Sequence, residues 1–265
     1  IIGSEGTLAV ITSLTLRLLP LPGASTDILA SFASLESAVD CVSEILRSAI
    51  APAALELIDG SAVALTARHA AGGVCFPDAG AHLLIRLDGA DSDAVERSYA
   101  VLTRLLDARA AGYLRAAGGE DSVRLWKSRR AIRSSIEAES PAFFAEDPAV
   151  PRSEIPAFIR AVDAGIRELG AQAVFFGHAG DGNLHINILK YSMPDGEWLR
   201  KKEAIRSCIY REAVRCGGTI TGEHGVGYLR KSHLAALYAP EELELMRRIK
   251  QAFDPGNLLN PGKVL

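Results

Sequence analysis

The sequence is poor in the residue patterns that mark several common functional classes. It has four cysteines in 265 residues, with no C-x-x-C pair and no zinc-ribbon spacing. A thiolate metal site is therefore not indicated, and we expect a reducing, cytoplasmic compartment. The G-x-G-x-x-G fingerprint of dinucleotide-binding folds is also not matched by the glycines near the start of the chain. The cysteines are Cys41, Cys75, Cys208 and Cys216.

Long apolar runs and a strong charge of one sign are also missing. No run approaches the roughly 20 apolar residues that a membrane-spanning helix needs. A formal net charge of -3 gives no reason to expect a nucleic acid or an anionic membrane surface as a partner. The hydrophobic fraction of 48% is that of a folded protein with a substantial core, as one large domain or one domain with an appendage.

The most informative stretch is F-F-G-H-A-G-D-G-N-L-H-I-N-I, at positions 175 to 188. Its histidines, His178 and His185, are seven positions apart and would point to opposite faces of one continuous strand. They can meet only if the chain reverses between them. The residues from Gly180 to Asn183 favour such a turn, because glycine tolerates positive φ and Asp or Asn bonds its own backbone. After the turn, His185 and Asn187 share the face opposite to the apolar one.

A second polar cluster, T-G-E-H-G-V-G at positions 221 to 227, adds Glu223 and His224. Two imidazoles and a carboxylate from a distant segment form a plausible three-ligand set for a divalent metal. His178, His185 and Glu223 are therefore the candidate ligands, and zinc, iron and manganese all suit them. Adjacent side chains in an extended chain point in different directions, so His224 should have a different chemical role from Glu223. The alternative is a glycine-rich hairpin whose histidines only bond backbone groups.

A basic helix is predicted over residues 120 to 139, with five Lys or Arg residues between Arg124 and Arg133. One interpretation is a solvated basic face whose aliphatic stems pack on a sheet. The other is a guanidinium that binds a carboxylate bidentately.

Strand-like and helix-like segments alternate between residues 27 and 117. Apolar strands are predicted at 27–32, 54–58 and 81–87, with helices that Ser34 and Ser92 cap at their N-termini. Two β-α-β-like units of this size indicate an α+β fold, a ferredoxin-like antiparallel sheet with helices on one side. Residues 8 to 19 are typical of a further strand pair, and Pro20, Pro22 and Gly23 then read as a linker.

Three motifs together resemble one family. G-H-A-G-D-G-N-L-H, G-G-T-I-T-G-E-H-G-V-G and F-D-P-G-N-L-L-N-P-G-K are similar to the C-terminal half of the FAD-linked 2-hydroxyacid dehydrogenases. That family includes the D-subunit of glycolate oxidase, D-lactate dehydrogenase and D-2-hydroxyglutarate dehydrogenase. The opening I-I-G-S-E-G-T-L-A-V-I-T resembles the last strands of the family's FAD-binding domain.

The resemblance implies two parts and a flavin. Residues 1–22 would be the C-terminal remnant of an FAD-binding domain, and residues 23–265 the substrate- and metal-binding cap domain. The rest of the FAD domain would lie in cis before Ile1, and the cap alone should be nearly inert. FAD contacts are expected from Gly3, Glu5, Gly6 and Asn260.

The resemblance also implies roles in oxidising a small 2-hydroxy acid, such as glycolate or D-lactate, to its 2-oxo acid. Arg129, in the family's W-x-x-R motif, would hold the substrate carboxylate, and Asn187 would bond the substrate. Some members carry Thr where this chain has Arg133, a departure from the family at the far half of the substrate pocket, and Arg133 is also expected to bind the substrate. His224 would take the hydroxyl proton while a hydride passes from Cα to FAD. An electron acceptor or partner subunit, which could bring the protein to a membrane surface, is compatible with this function.

Two other functions remain open. A metal-dependent hydrolase could use the same three ligands to activate water, with His224 as base. A binding module without chemistry is the second, since the given sequence contains only the last part of the flavin-binding domain that the resemblance implies.

Overall fold

The structure is a computed structural model that describes residues 1–69, 76–116, 119–140 and 142–265. Cys75 lies outside these ranges, and the other three cysteines are free and buried.

Strands and helices alternate from residue 24 to residue 178, a second strand of a hairpin follows, and the last two long helices lie near the C-terminal end. The strands are β1 (Ala24–Phe32), β2 (Ala54–Asp59), β3 (Ala81–Gly89), β4 (Gly112–Ala116), β5 (Phe143–Glu146), β6 (Gln172–His178) and β7 (Asn183–Leu189). The helices are α1 (Leu35–Arg47), α2 (Gly60–His69), α3 (Ser92–Arg109), α4 (Gly119–Glu139), α5 (Ile155–Glu168), α6 (Asp195–Arg215) and α7 (Pro240–Phe253).

The strands form one seven-stranded sheet in the order β4-β1-β3-β2-β6-β7-β5. Its strand pairings are antiparallel. The first four strands, in the order 4-1-3-2 with α1 and α3 as crossovers, have the ferredoxin-like arrangement. Strands β6, β7 and β5 extend this sheet beyond β2, and they carry the two histidines of the hairpin. The predicted fold class is confirmed.

Helices cover both faces of the sheet, so the prediction of helices on one side is wrong. The larger core contains apolar side chains of α1, α3, α5 and α6, such as Val42, Leu102, Phe158 and Ile209. A second core lies on the opposite face, where α2 and α4 pack against the sheet. Alternating strand residues are apolar on both faces, and a sheet with two apolar faces needs a layer of helices on each.

Helix caps explain two of the helix starts. The Ser34 side chain accepts a hydrogen bond from the Ser37 backbone N–H and begins α1, as predicted. Helix α3 is capped by Asp91 instead of Ser92, since the Asp91 carboxylate accepts from the Ala94 backbone N–H at 2.8 Å. Ser92 is the first helical residue.

The N-terminal segment forms no strand in the described structure, so the strand pair predicted over residues 8 to 19 is wrong for this chain. A strand needs a neighbour that accepts its backbone hydrogen bonds, and no described strand pairs with this segment. Between residues 10 and 21 its large apolar side chains are exposed, from 52% at Ile11 to 92% at Leu21. A surface of this kind is typical of a segment that packs against another body.

Among the described residues, no helix combines the length and the apolar composition that crossing a membrane requires.

The turn between β6 and β7 has the predicted chemistry. Gly182 has φ of +88°, and a Cβ at this position would lie 2.1 Å from the carbonyl oxygen of Val150. Only glycine fits this backbone conformation and this close approach. The turn therefore fixes the register that brings His178 and His185 together.

Candidate metal centre and its cavity

The β6–β7 hairpin brings the two predicted histidines into contact. His178 ends β6, and His185, the third residue of β7, pairs with Phe176. The centroids of the two imidazole rings are 5.2 Å apart, with the rings edge to face. The chain reversal that the sequence required is therefore present.

The loop that carries Glu223 and His224 is held against the start of the hairpin. Thr219 and Thr221 form isolated bridges with the segment after β5, at Ala149 and Asp147. Gly222 lets the loop come close, because a Cβ there would lie 2.1 Å from the Asn183 side-chain amide nitrogen. His224 then stacks on His185, with centroids 5.4 Å apart and the ring planes within 10°.

Three imidazole nitrogens converge on one carboxylate oxygen. Glu223 Oε1 lies 3.4 Å from Nε2 of His185, 3.6 Å from Nε2 of His178 and 3.9 Å from Nε2 of His224. Ligands held at about 2.1 Å from a tetrahedral ion are themselves roughly 3.4 Å apart. The donor set and its spacing therefore fit a divalent metal on the Nε2 side of the histidines.

Asp147 lies on the other side of two of these rings. Its carboxylate is fully buried, 3.3 Å from His185 Nδ1 and 3.6 Å from His224 Nδ1. Burial would raise the pKa of Asp147, but the neighbouring His185 ring and hydrogen bonds from Asn183 and backbone N–H groups hold it well below its usual range. A carboxylate on the Nδ1 side of a histidine orients the ring and leaves Nε2 to bind metal.

Glu56 orients the ring of the third histidine, His178, in the same way. The Glu56 carboxylate lies 2.7 Å from His178 Nδ1, and this bond raises the pKa of His178. Arg129 donates to the other oxygen of Glu56, at 2.9 Å from Nε. Burial alone would raise the pKa of Glu56, but its bonds to His178 and Arg129 lower it.

Two ligand sets can be drawn from these residues. Ligand atoms of Asp147, His185, Glu223 and His224 lie within 4.8 Å of one another, which omits His178. Asp147 is already saturated: Oδ2 accepts from the backbone N–H groups of Glu223 and His224, and Oδ1 accepts from Asn183. We therefore favour the set on the Nε2 side, with Glu223 and the histidines as candidate ligands and Asp147 as their support.

An open cavity of 790 Å³ adjoins the cluster. His185, His224, Asn187 and Arg133 line it, together with aromatic side chains that include Phe176. Asn187 is 1% exposed, and neither its Nδ2 nor its Oδ1 has a hydrogen-bond partner among the described residues. A buried amide without partners is costly, and a polar ligand in the cavity would satisfy it.

The two predicted arginines differ in their position relative to the cavity. Arg129 is 11% exposed, packs over the Phe176 ring and is paired with Glu56, and the cavity lining does not include it. Arg133 does line the cavity, but it pairs with Glu137 at 2.8 Å. The contact of Arg129 with a substrate carboxylate and the contact of Arg133 with the substrate stay predictions.

Three of the four expected flavin contacts come together at one place, where the N-terminal segment meets the C-terminal tail. The Glu5 carboxylate accepts from the backbone N–H groups of Val226 and Gly227, next to the loop of His224. Asn260 donates from Nδ2 to the Glu5 carbonyl oxygen at 2.9 Å, beside Gly6. Gly3 has open space around it. These polar groups bond one another, and their contact with a flavin stays a prediction.

Sequence reasoning missed two residues of the site, Glu56 and Asp147. The segment E-D-P-A-V-P at positions 146 to 151 contains two acids and two prolines, yet nothing in it indicates which distant histidines Asp147 contacts. Glu56 sits in a predicted apolar strand, and a charged residue in such a strand is a signal for a buried partner.

Comparisons with known proteins identify the family of this chain. A family model described as the C-terminal domain of FAD linked oxidases matches residues 21–264. The chain belongs to this family. The matched residues include the whole sheet, both helical layers and the histidine cluster.

Curated relatives of this family match the chain from end to end. Glycolate oxidase subunit GlcD of Bacillus subtilis is 34% identical over 99% of this chain, which is 56% of that protein. GlcD of Escherichia coli is 35% identical over 98% of this chain and 52% of its own length. D-lactate dehydrogenase of Archaeoglobus fulgidus is 36% identical over the whole chain and 57% of its own length. The chain thus spans about half the length of these relatives.

A solved structure shares the fold. A crystal structure of p-cresol methylhydroxylase with substrate bound superposes with a TM-score of 0.69 at 14% identity, over 93% of this chain and 53% of that one. At this identity, the likeness concerns the fold alone.

Proposed function

We propose that this chain is the substrate- and metal-binding part of an FAD-dependent dehydrogenase that oxidises a small 2-hydroxy acid to the 2-oxo acid. The observation that carries the proposal is the convergence of three imidazole Nε2 atoms on Glu223 Oε1, beside a cavity with an unpartnered Asn187. The relatives named glycolate oxidase subunit and D-lactate dehydrogenase support the same class of substrate.

His178, His185 and Glu223 would hold a divalent metal, and His224 would act as the base. His224 is the least tightly placed of the three histidines, at 3.9 Å from Glu223 Oε1 and 48% exposed. His185, by contrast, is 3.4 Å from that oxygen and 11% exposed. A bound metal would supply Lewis-acid polarisation of the substrate hydroxyl.

His224 is well placed to take up the hydroxyl proton. Its Nδ1 faces the Asp147 carboxylate at 3.6 Å, and the opposite nitrogen, Nε2, faces the cluster. An imidazole whose Nδ1–H is held by a carboxylate presents an unprotonated Nε2, and the same carboxylate stabilises the imidazolium that forms.

The substrate would be bound between the hairpin and α4. Asn187 offers an amide donor and acceptor that no described residue uses, and it would bond the substrate next to the metal ligands. The Nε and Nη2 atoms of Arg129 contact Glu56, and Nη1 would remain to bind the substrate carboxylate. Arg133 would close the cavity above Phe143.

FAD, once bound, would accept the hydride from the substrate Cα. In this proposal, residues 1–22 belong to the flavin-binding part, and their exposed apolar side chains pack against it. Gly3, Glu5, Gly6 and Asn260 would lie at the flavin-facing surface, since the loop that they order also carries His224.

The test is an anaerobic single turnover with a flavin-loaded protein that contains this chain and an FAD-binding domain. His224→Ala should still bind lactate or glycolate, but flavin bleaching should slow by roughly 10²–10⁴-fold, the usual contribution of a positioned base. Lys201→Ala, a surface change on α6, should bleach at the wild-type rate. Bleaching of His224→Ala at the wild-type rate would remove the base from the mechanism.

A further inference from the structure

The loop that carries His224 is held by two carboxylates from different parts of the chain. Before the histidine side chain, Asp147 Oδ2 accepts a hydrogen bond from the backbone N–H group of His224 at 2.8 Å. After it, Glu5 Oε1 accepts from the Val226 N–H at 2.7 Å, and Oε2 accepts from the Gly227 N–H at 2.8 Å. The backbone is therefore fixed on both sides of the histidine.

The contact with Glu5 depends on the glycine that follows His224. Gly225 has φ of +80°, a conformation that favours glycine, and a Cβ at this position would lie 2.8 Å from the Glu5 carboxyl carbon. A side chain there would displace the carboxylate. Successive backbone N–H groups that point to one side form a concave site for an anion. The loop after His224 is thus shaped around the Glu5 carboxylate.

Glu5 also bonds the N-terminal segment to the rest of the chain. In the described structure, the hydrogen bonds between residues 1–22 and later residues are made by its carboxylate and by its carbonyl oxygen, which accepts from Asn260. The segment forms no strand, and its apolar side chains between residues 10 and 21 are exposed. The position of Glu5 is therefore set by the body that the segment packs against, which is the flavin-binding part in the proposed function.

The His224 ring depends on its backbone for its position. The side chain is 48% exposed, and its nitrogens lie 3.6 Å from Asp147 and 3.9 Å from Glu223. Both distances are longer than hydrogen bonds. A shift of the loop would therefore move the ring, and a misplacement of about 1 Å can slow a reaction 10²-fold.

We propose that Glu5 is a positioning residue for His224. Its carboxylate, carried by the segment that belongs to the flavin-binding part, fixes the backbone after His224, so the base takes its working position when the two parts pack together. The inference rests on the proposed function, in which His224 is the base. It gives the Glu5 carboxylate a role other than flavin binding, because the loop uses both of its oxygens.

Glu5→Gln tests this role in the flavin-loaded protein that contains this chain and an FAD-binding domain. The amide keeps the size of the side chain but turns a donor toward one of the two N–H groups. In anaerobic single turnovers with D-lactate, the limiting rate of flavin bleaching should fall by roughly 10–10²-fold. The half-saturating lactate concentration should not change, because Glu5 does not line the cavity, and the flavin spectrum should stay the same.

A matched control is Glu36→Gln, the same change on the surface of α1, where Glu36 pairs with Arg160 at 3.2 Å. This variant should bleach at the wild-type rate.

Hydrogen exchange of the backbone amides gives a readout that does not depend on turnover. In Glu5→Gln, the amides of Val226 and Gly227 should exchange roughly tenfold faster, as expected for the loss of a charge-assisted hydrogen bond. The amide of His224, which Asp147 holds, should keep its protection. Unchanged exchange at Val226 and Gly227, or a wild-type bleaching rate in Glu5→Gln, would overturn the positioning role.

The double variant shows whether Glu5 acts through His224. In the His224→Ala background, Glu5→Gln should slow bleaching no further, since the residue that it positions is gone. A loss of full size in the double variant, or a changed flavin spectrum in Glu5→Gln alone, would overturn the inference and assign Glu5 to the flavin. Bleaching of His224→Ala at the wild-type rate is a separate result: it contradicts the proposed function, and the positioning role falls with it.

Discussion

Replacing Asp147 with asparagine should loosen the whole histidine cluster, although Asp147 is not a candidate ligand. Its Oδ2 accepts backbone N–H bonds from Glu223 at 3.0 Å and from His224 at 2.8 Å, and Oδ1 accepts from Asn183 at 2.9 Å. An asparagine side chain must turn an NH₂ group toward one of these sets of donors. Either orientation places a donor against donors in a site with no access to water.

The expected loss of stability is large for a single atom change. Breaking one side of a fully buried charged network costs about 3–5 kcal/mol, because the remaining groups stay buried without their partner. For a protein of this size, that corresponds to a fall of roughly 6–20 °C in Tm. Metal affinity should fall as well, by about 10–100-fold, the usual effect of removing a residue that orients a metal-binding histidine.

Thermal unfolding and zinc titration of the two proteins measure both effects. Asp181→Asn is the matched control, because Asp181 is exposed in the same hairpin and accepts one backbone bond, from Asn183 at 3.0 Å. It should change Tm by a few degrees at most and leave zinc affinity unchanged. If Asp147→Asn keeps the wild-type Tm and zinc affinity, Asp147 does not organise the cluster and the reasoning is refuted.

Two further predictions concern buried carboxylates. Asp27→Asn should lower the free energy of unfolding by about 1–3 kcal/mol at neutral pH. Burial raises the pKa of Asp27, but the hydrogen bonds from Arg86 and Ser122 outweigh this effect, so the pKa lies below its ordinary value. This stabilisation is fully present above pH 3.8, the ordinary pKa of Asp, and it is lost as the pH falls through the lowered pKa of the folded state. The free energies of unfolding of the variant and the wild type, measured in urea, should therefore converge in acid. A difference that stays constant with pH would contradict the prediction. The Glu56 carboxylate raises the pKa of His178, so Glu56→Gln should lower it. A proton NMR titration of the metal-free chain measures this pKa. An unchanged pKa in the variant would mean that Glu56 does not act on His178.

Local patterns predicted the hairpin well because its information is local. The turn residues between Gly180 and Asn183 specify the reversal, and the reversal alone decides that His178 and His185 meet. The apolar side of β7, with Leu184, Ile186 and Ile188 in the larger core, also follows from alternation.

What the sequence could not supply were partners from distant segments. Arg129 lies in the apolar stripe of α4 with Leu125, Ile132 and Ile136, which are buried against the sheet. A guanidinium in such a stripe needs a buried anion, but periodicity does not identify it as Glu56, 73 positions earlier.

Local sequence patterns also do not predict on which face of the sheet each helix packs. A stripe shows that a helix buries one face, and it does not show which face of the sheet receives it. Helices α2 and α4 pack against each other on the face opposite to α1 and α3. The choice depends on the connections between strands, which are fixed by the complete strand order.

The central claim is that His178, His185 and Glu223 bind a metal ion and that His224, beside it, acts as the base. Metal content is the most direct measurement of this claim. Wild type and alanine variants at these four positions are purified in parallel, and zinc, iron and manganese are determined per chain. The account predicts about one ion in the wild type and in His224→Ala, and little in the other three variants. Equal metal in His185→Ala and wild type would contradict the site. Loss of metal in His224→Ala with retention in Glu223→Ala would mean that the two neighbours have the opposite roles.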